Sequence, residues 1–86
     1  MLYKVYVIYA PAHGKLHVGI TTRLGDSMLL HNGDEEDDQT NQYKPWTLIH
    51  MEIFNDESEA HFRKTYLESP AGQAYITSDI LSLFEF

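Results

Sequence analysis

Tyr6 and His17 are the side chains whose types and setting first invite chemistry. One is a phenol that donates and accepts hydrogen bonds, the other an imidazole that exchanges a proton near neutral pH. His31 supplies a further imidazole at the end of a helical pattern, where it is equally suited to answer the free carbonyls of that end. For Tyr6 and His17 the alternative is plain packing, because strand aromatics beside a helix commonly fill core or edge positions. Cations are few: Lys4, Lys15, Arg23, Lys44, Arg63 and Lys64 stand against 13 acidic side chains, for a formal net charge of −7. That balance runs against gripping a phosphate backbone, which normally needs a basic face. Cysteine is absent, which removes disulfides, thiolate nucleophiles and cysteine-based zinc sites. Asp34-Glu35-Glu36-Asp37-Asp38 is a block of like charge, read as a solvated loop of about a dozen residues. As a divalent-cation site it lacks the alternating acids and turn glycine of a calcium-binding loop.

The elements that must position these groups follow from the pattern. Lys4, Tyr6 and Ile8 alternate with Val5, Val7 and Tyr9 in a β-branched and aromatic run, a strand over about 3–10 covered on both faces. Pro11, His13 and Gly14 break it, and Leu16, Val18 and Ile20 resume it at every second position, so 3–10 and 15–20 form a hairpin. Leu24, Met28 and His31 then recur at intervals of four and three, a helix over 22–32 with Thr21 or Thr22 as its cap, stopped by Asn32-Gly33. A third strand is expected over 46–54, mostly buried, with Ile49, Met51 and Ile53 on one face and Trp46, Leu48 and Phe54 on the other. Asp56 opens a capping-box-like start, its carboxylate directed at the amide near Glu59, for a helix over 57–68. Ala60, Lys64 and Leu67 line one side of that helix, with Phe62 and Tyr66 packing beside them. Ser69-Pro70 caps a short helix over 70–76. Thr77-Ser78-Asp79 restarts the chain, and Ile80, Leu81, Leu83, Phe84 and Phe86 dock as a last turn or short helix.

Eighty-six residues allow a single domain over 1–86, of which folding hides only ~60% of the unfolded chain's surface. Hydrophobic residues at 43% suffice for a compact core. No apolar run approaches a membrane span and no signal-peptide pattern opens the chain, so a soluble, cytoplasmic protein is expected. The order strand, strand, helix, strand, helix, helix reads as an α/β layering.

The hairpin and the helix after it resemble the signature of the GIY-YIG nuclease family in its small single-domain form. Tyr6 in Val-Tyr-Val matches the tyrosine of the first triplet. His17-Val18-Gly19 matches the second, with histidine for tyrosine, and Gly19-Ile20-Thr21 is the strongest local match. The resemblance continues through Leu24, His31-Asn32, Thr40, Lys44-Pro45-Trp46-Thr47-Leu48-Ile49 and Ala60, and covers about residues 3–76. It implies an α+β fold with a three-stranded antiparallel sheet flanked by helices.

In active members the resemblance implies a phosphodiesterase with one divalent metal held by a helix glutamate, an arginine on the first helix, and hairpin tyrosines that help activate water. Hydrolysing a phosphodiester requires neutralising an anion while water loses a proton. The arginine position, four residues before His31, is Ser27. The glutamate position, four residues after Ala60, is Lys64, which cannot ligate Mg²⁺ while protonated. Tyr6, His17 and His31 are the retained or substituted catalytic positions, and Arg23 and Lys64 the candidate binding cations. Arg23 lies four residues before Ser27 and Glu68 four after Lys64, each one helical turn from the lost group, ~5–6 Å away. The leading expectation is a degenerate domain without nuclease activity or cofactor, acting as a binding or regulatory module. The alternative is an Mg²⁺-dependent endonuclease using Arg23 and Glu68, although catalytic geometry tolerates only ~1 Å of displacement. The third is an acidic module that binds a protein partner. DNA binding is expected no better than non-specific, roughly 10⁻⁴ M or weaker. A phosphate held by Lys64, Tyr6 and His17, with Arg23 or Arg63 nearby, is expected to bind more tightly as histidine protonates.

Overall fold

A computed structural model describes residues 1–26, 28 and 43–84. β1 (Tyr3–Ala10) is the central strand, paired antiparallel with β2 (Lys15–Thr21) on one side and β3 (Thr47–Phe54) on the other, in the order β2-β1-β3. Flanked on both edges, β1 buries Val5, Tyr6, Val7 and Ile8 in succession, as the unbroken run of strand-forming residues requires. The hairpin turn closes through Gly14, whose φ of 62° lies in the left-handed region that suits glycine, and whose amide bonds the Ala10 carbonyl at 2.8 Å.

α1 (Glu57–Glu68) starts at Asp56, whose carboxylate accepts from the Ser58 amide at 2.9 Å rather than from the amide near Glu59. Ser69 caps α2 (Pro70–Tyr75), its hydroxyl accepting from the Gly72 amide at 3.1 Å. The expected restart at Thr77 does not occur. The helical path continues as a π turn over Ile76–Ile80 and a 3₁₀ turn over Leu81–Leu83. The hydroxyls of Thr77 and Ser82 donate back to the carbonyls of Gln73 and Ser78, so residues that favour a break join the helix by bonding its own backbone.

Two apolar clusters lie on opposite faces of β1. Val5, Val7, Val18 and Ile49 meet Ala60 and Leu67 of α1 and Ile76 and Ile80 beyond α2. Tyr6, Ile8, Ala10 and Trp46 form the second cluster, with Leu24, Met28 and Tyr43 packed against it. Residues 24–26 and 28 are helical. The remainder of the helix expected over 22–32, including Ser27 and His31, and the acidic block lie outside the described residues. Thr21 Oγ1 accepts from the Arg23 amide at 3.0 Å, a bond in the turn that leads into this segment.

β3 departs from expectation. Its register on β1 shifts between Val7 and Ile8, so that His50 faces Val7 while Leu48 faces Ile8. The extra residue is Ile49, and this bulge turns it into the first cluster instead of aligning it with Met51 and Ile53. Phe54, paired with Tyr3, packs there too, whereas Leu48, Met51 and Ile53 are 37%, 39% and 51% exposed. An edge strand has a covered face only where a helix reaches it, and β3 is accordingly not mostly buried. Phe62, expected to pack, is 80% exposed, and Leu83 and Phe84 are exposed as well.

Candidate functional site

The pairing of β1 with β2 sets Tyr6 opposite Gly19 and Ile8 opposite His17, which puts Tyr6 and His17 on one face as diagonal neighbours. Their ring centroids lie 6.4 Å apart, tilted by 52°. Tyr6 is buried and His17 half-buried. Gly19 makes this possible: a methyl group there would overlap Cζ and Oη of the Tyr6 ring. The tyrosine, the substituted triplet and its glycine are thus one packing unit.

Further rings extend the pair toward the hairpin turn. His17 lies 6.1 Å from Trp46, Trp46 lies 6.4 Å from Tyr43, and Tyr43 lies 5.5 Å from His13. These contacts are edge-to-face, the arrangement in which ring edges meet the electron-rich faces of their neighbours. Lys15 Nζ stands 5.5 Å from the Tyr43 centroid, a cation over its ring. Residues 43–46, with a cis Lys44–Pro45 peptide, bring Tyr43 and Trp46 to this face ahead of β3. Sequence reasoning found Tyr6 and His17 but did not place His13 and Tyr43 beside them. The available signal was that a strand antiparallel to β1 must begin near the hairpin turn.

The other expected residues have partners of their own. Lys64 donates to Glu68 Oε1 at 3.0 Å, one helical turn away. Arg23 pairs with Asp26 at 2.8 Å in an open setting, the two side chains 80% and 60% exposed. Arg63, expected as a cleft cation, reaches instead to Glu52 of β3, with Nε 2.9 Å from Oε1 and Nη2 3.0 Å from Oε2. His50 Nε2 meets the same carboxylate at 2.7 Å. The Arg63 guanidinium also lies over Tyr66 and Tyr75, at 5.1 and 5.7 Å from their centroids. Burial pushes the Glu52 carboxyl up, but the hydrogen bonds and charges of Arg63 and His50 outweigh it and hold the group below its ordinary value. Arg63 is raised in turn, chiefly by its bond to Glu52.

The structure therefore brings Tyr6 and His17 together and ties Lys64 to Glu68. The metal ligand that the resemblance implies would fall at Lys64. An ammonium and the carboxylate it already binds are not the donor set of a divalent cation, which takes oxygen ligands. Among the described residues no three His, Asp or Glu side chains converge as a metal site.

Compared with known protein families, residues 2–71 match the family model described as the GIY-YIG catalytic domain. No curated protein and no solved structure matches the chain.

Proposed function

We propose that this chain, which belongs to the GIY-YIG family, uses the family scaffold as a binding or regulatory module and does not hydrolyse phosphodiesters. The observation that carries this reading is the Lys64–Glu68 pair on α1. Where the resemblance implies a carboxylate for a cation, the helix presents a cation, and the neighbouring carboxylate is already engaged by it. Arg23, the other group of a displaced site, is likewise occupied, by Asp26 on the surface. Tyr6 and His17 keep a buried phenol and a half-buried imidazole beside one another, and of the two the imidazole is the one placed to reach a polar ligand. The net charge of −7 opposes long-range attraction of DNA.

The test is incubation of the purified chain with plasmid and branched DNA in Mg²⁺ or Mn²⁺. No cleavage is expected, and a labelled duplex should bind at roughly 10⁻⁴ M or weaker at physiological salt. Cleavage that persists through purification and vanishes in Glu68→Ala would establish a displaced active site and overturn the proposal.

A further inference from the structure

α1 has a second ridge, on the side away from the core. Ala60 and Leu67 are fully buried, whereas Phe62, on the opposite side of the helix, is 80% exposed. Ser58, Phe62 and Tyr66 follow one another at intervals of four, the row that forms a ridge along a helix surface. A groove lies on each side of this ridge. One runs between it and the Glu57–His61–Thr65 row. The other runs between it and Glu59, Arg63 and Phe54, so that the rings of Phe62 and Phe54 share a groove. Channels between adjacent rows of this spacing are those into which the ridge of another helix packs.

We infer that this ridge docks a basic amphipathic helix of a partner protein. The charge of the surface selects that occupant. Arg63 is matched by Glu52 and Lys64 by Glu68, which leaves Glu57, offset only by His61 when that ring is protonated, and Glu59 as the exposed charges beside Phe62. Apolar side chains of the incoming helix fill the groove beside Phe62 and Phe54, and its lysines or arginines reach Glu57 and Glu59. A second copy of this chain is the poorer occupant. Two copies each carry a net charge of −7, and the cations of the patch, Arg63 and Lys64, are already matched within the chain rather than offered to Glu57 and Glu59 of a copy. The inference goes beyond the proposed loss of hydrolysis and does not depend on it.

The probe is a synthetic helical peptide of leucine and lysine at helical spacing. It is compared with a peptide of the same composition in alternating order and with a helical leucine–glutamate peptide, each titrated into the full ¹⁵N-labelled chain. The helical leucine–lysine peptide should bind, with amide shifts centred on residues 57–66. Phe62→Ala should weaken it at least tenfold while leaving circular dichroism and thermal unfolding unchanged, because the ring is exposed. Glu57→Gln with Glu59→Gln should weaken it at least threefold and flatten its salt dependence. Equal affinity in Phe62→Ala would reduce the effect to bulk charge attraction and overturn the inference. So would shifts centred on the Tyr6–His17 face, equal binding of either control peptide, or a dimer of the free chain that Phe62→Ala abolishes.

Discussion

The two faces of β1 are built from alternate residues of the same eight, yet they are completed in different ways. Val5 and Val7 face aliphatic side chains from β2, β3, α1 and the turns after α2, and the outer part of that layer is bridged by the Glu52–Arg63 pair. Tyr6 and Ile8 face a smaller cluster of rings, with Gly19 leaving room for the phenol and His17 beside it half-exposed. One face is closed by interlocking elements that belong to the fold. The other sets the buried Tyr6 phenol beside the half-buried His17 imidazole, in contact with further rings. The odd and even positions of one strand thus serve separate layers, so a substitution on either face should disturb mainly its own layer.

The largest expected effect is on the aliphatic face. Leu67 is fully buried, and Leu67→Ala should cost about 2–5 kcal/mol in urea unfolding, with no selective change in the environment of Tyr6. A loss below about 1 kcal/mol, or a local change confined to the Tyr6 ring, would show that the faces are not separable in this way. Next comes Gly19→Ala on the aromatic face, expected to cost about 1–3 kcal/mol because the Tyr6 ring must move from an occupied space. Its mark should be displacement of the Tyr6 and His17 ring resonances with the amides of α1 little changed. Uniform shifts throughout α1 would count against it.

The smallest effect sharpens the comparison through pH. The Glu52 carboxyl is depressed in the folded chain, so its contribution is present above the ordinary carboxylate value and is lost as pH falls through the lower folded value. Glu52→Gln should cost about 1–2 kcal/mol at neutral pH, a range that allows for the pair's partial exposure. The gap from the wild type should narrow as the pH is lowered into the acid range. Parallel stability curves from neutral to acid pH would mean that Glu52 contributes through packing rather than charge.

Much of this fold was legible because its signals are local. The hairpin follows from alternation interrupted by Gly14, α1 from Asp56 and the spacing of Ala60 and Leu67, and α2 from Ser69-Pro70. Tyr6 and His17 could be named because the triplets fix their order along two paired strands. The misread parts depended on distant neighbours. Phe62 has the character of a core residue and the position of a surface one, since which side of α1 meets the sheet is set by Ala60 and Leu67 packing on Val5 and Val7. Arg63 carried no mark that Glu52, eleven residues earlier, would take it up.

By itself the sequence determined the hairpin, the capped starts of α1 and α2, the net charge of −7 and the identity of Lys64 at the expected carboxylate position. These are properties of one residue or of short-range periodicity, which the backbone enforces wherever the chain goes. Only the tertiary structure decided that β3 bulges at Ile49 and that Phe62 stands out on α1. It alone engaged Arg63 with Glu52 and gathered His13, Tyr43 and Trp46 along the Tyr6–His17 face. Each of those outcomes is a choice among partners far apart in the chain, made by how the whole core closes, and no local pattern encodes that choice.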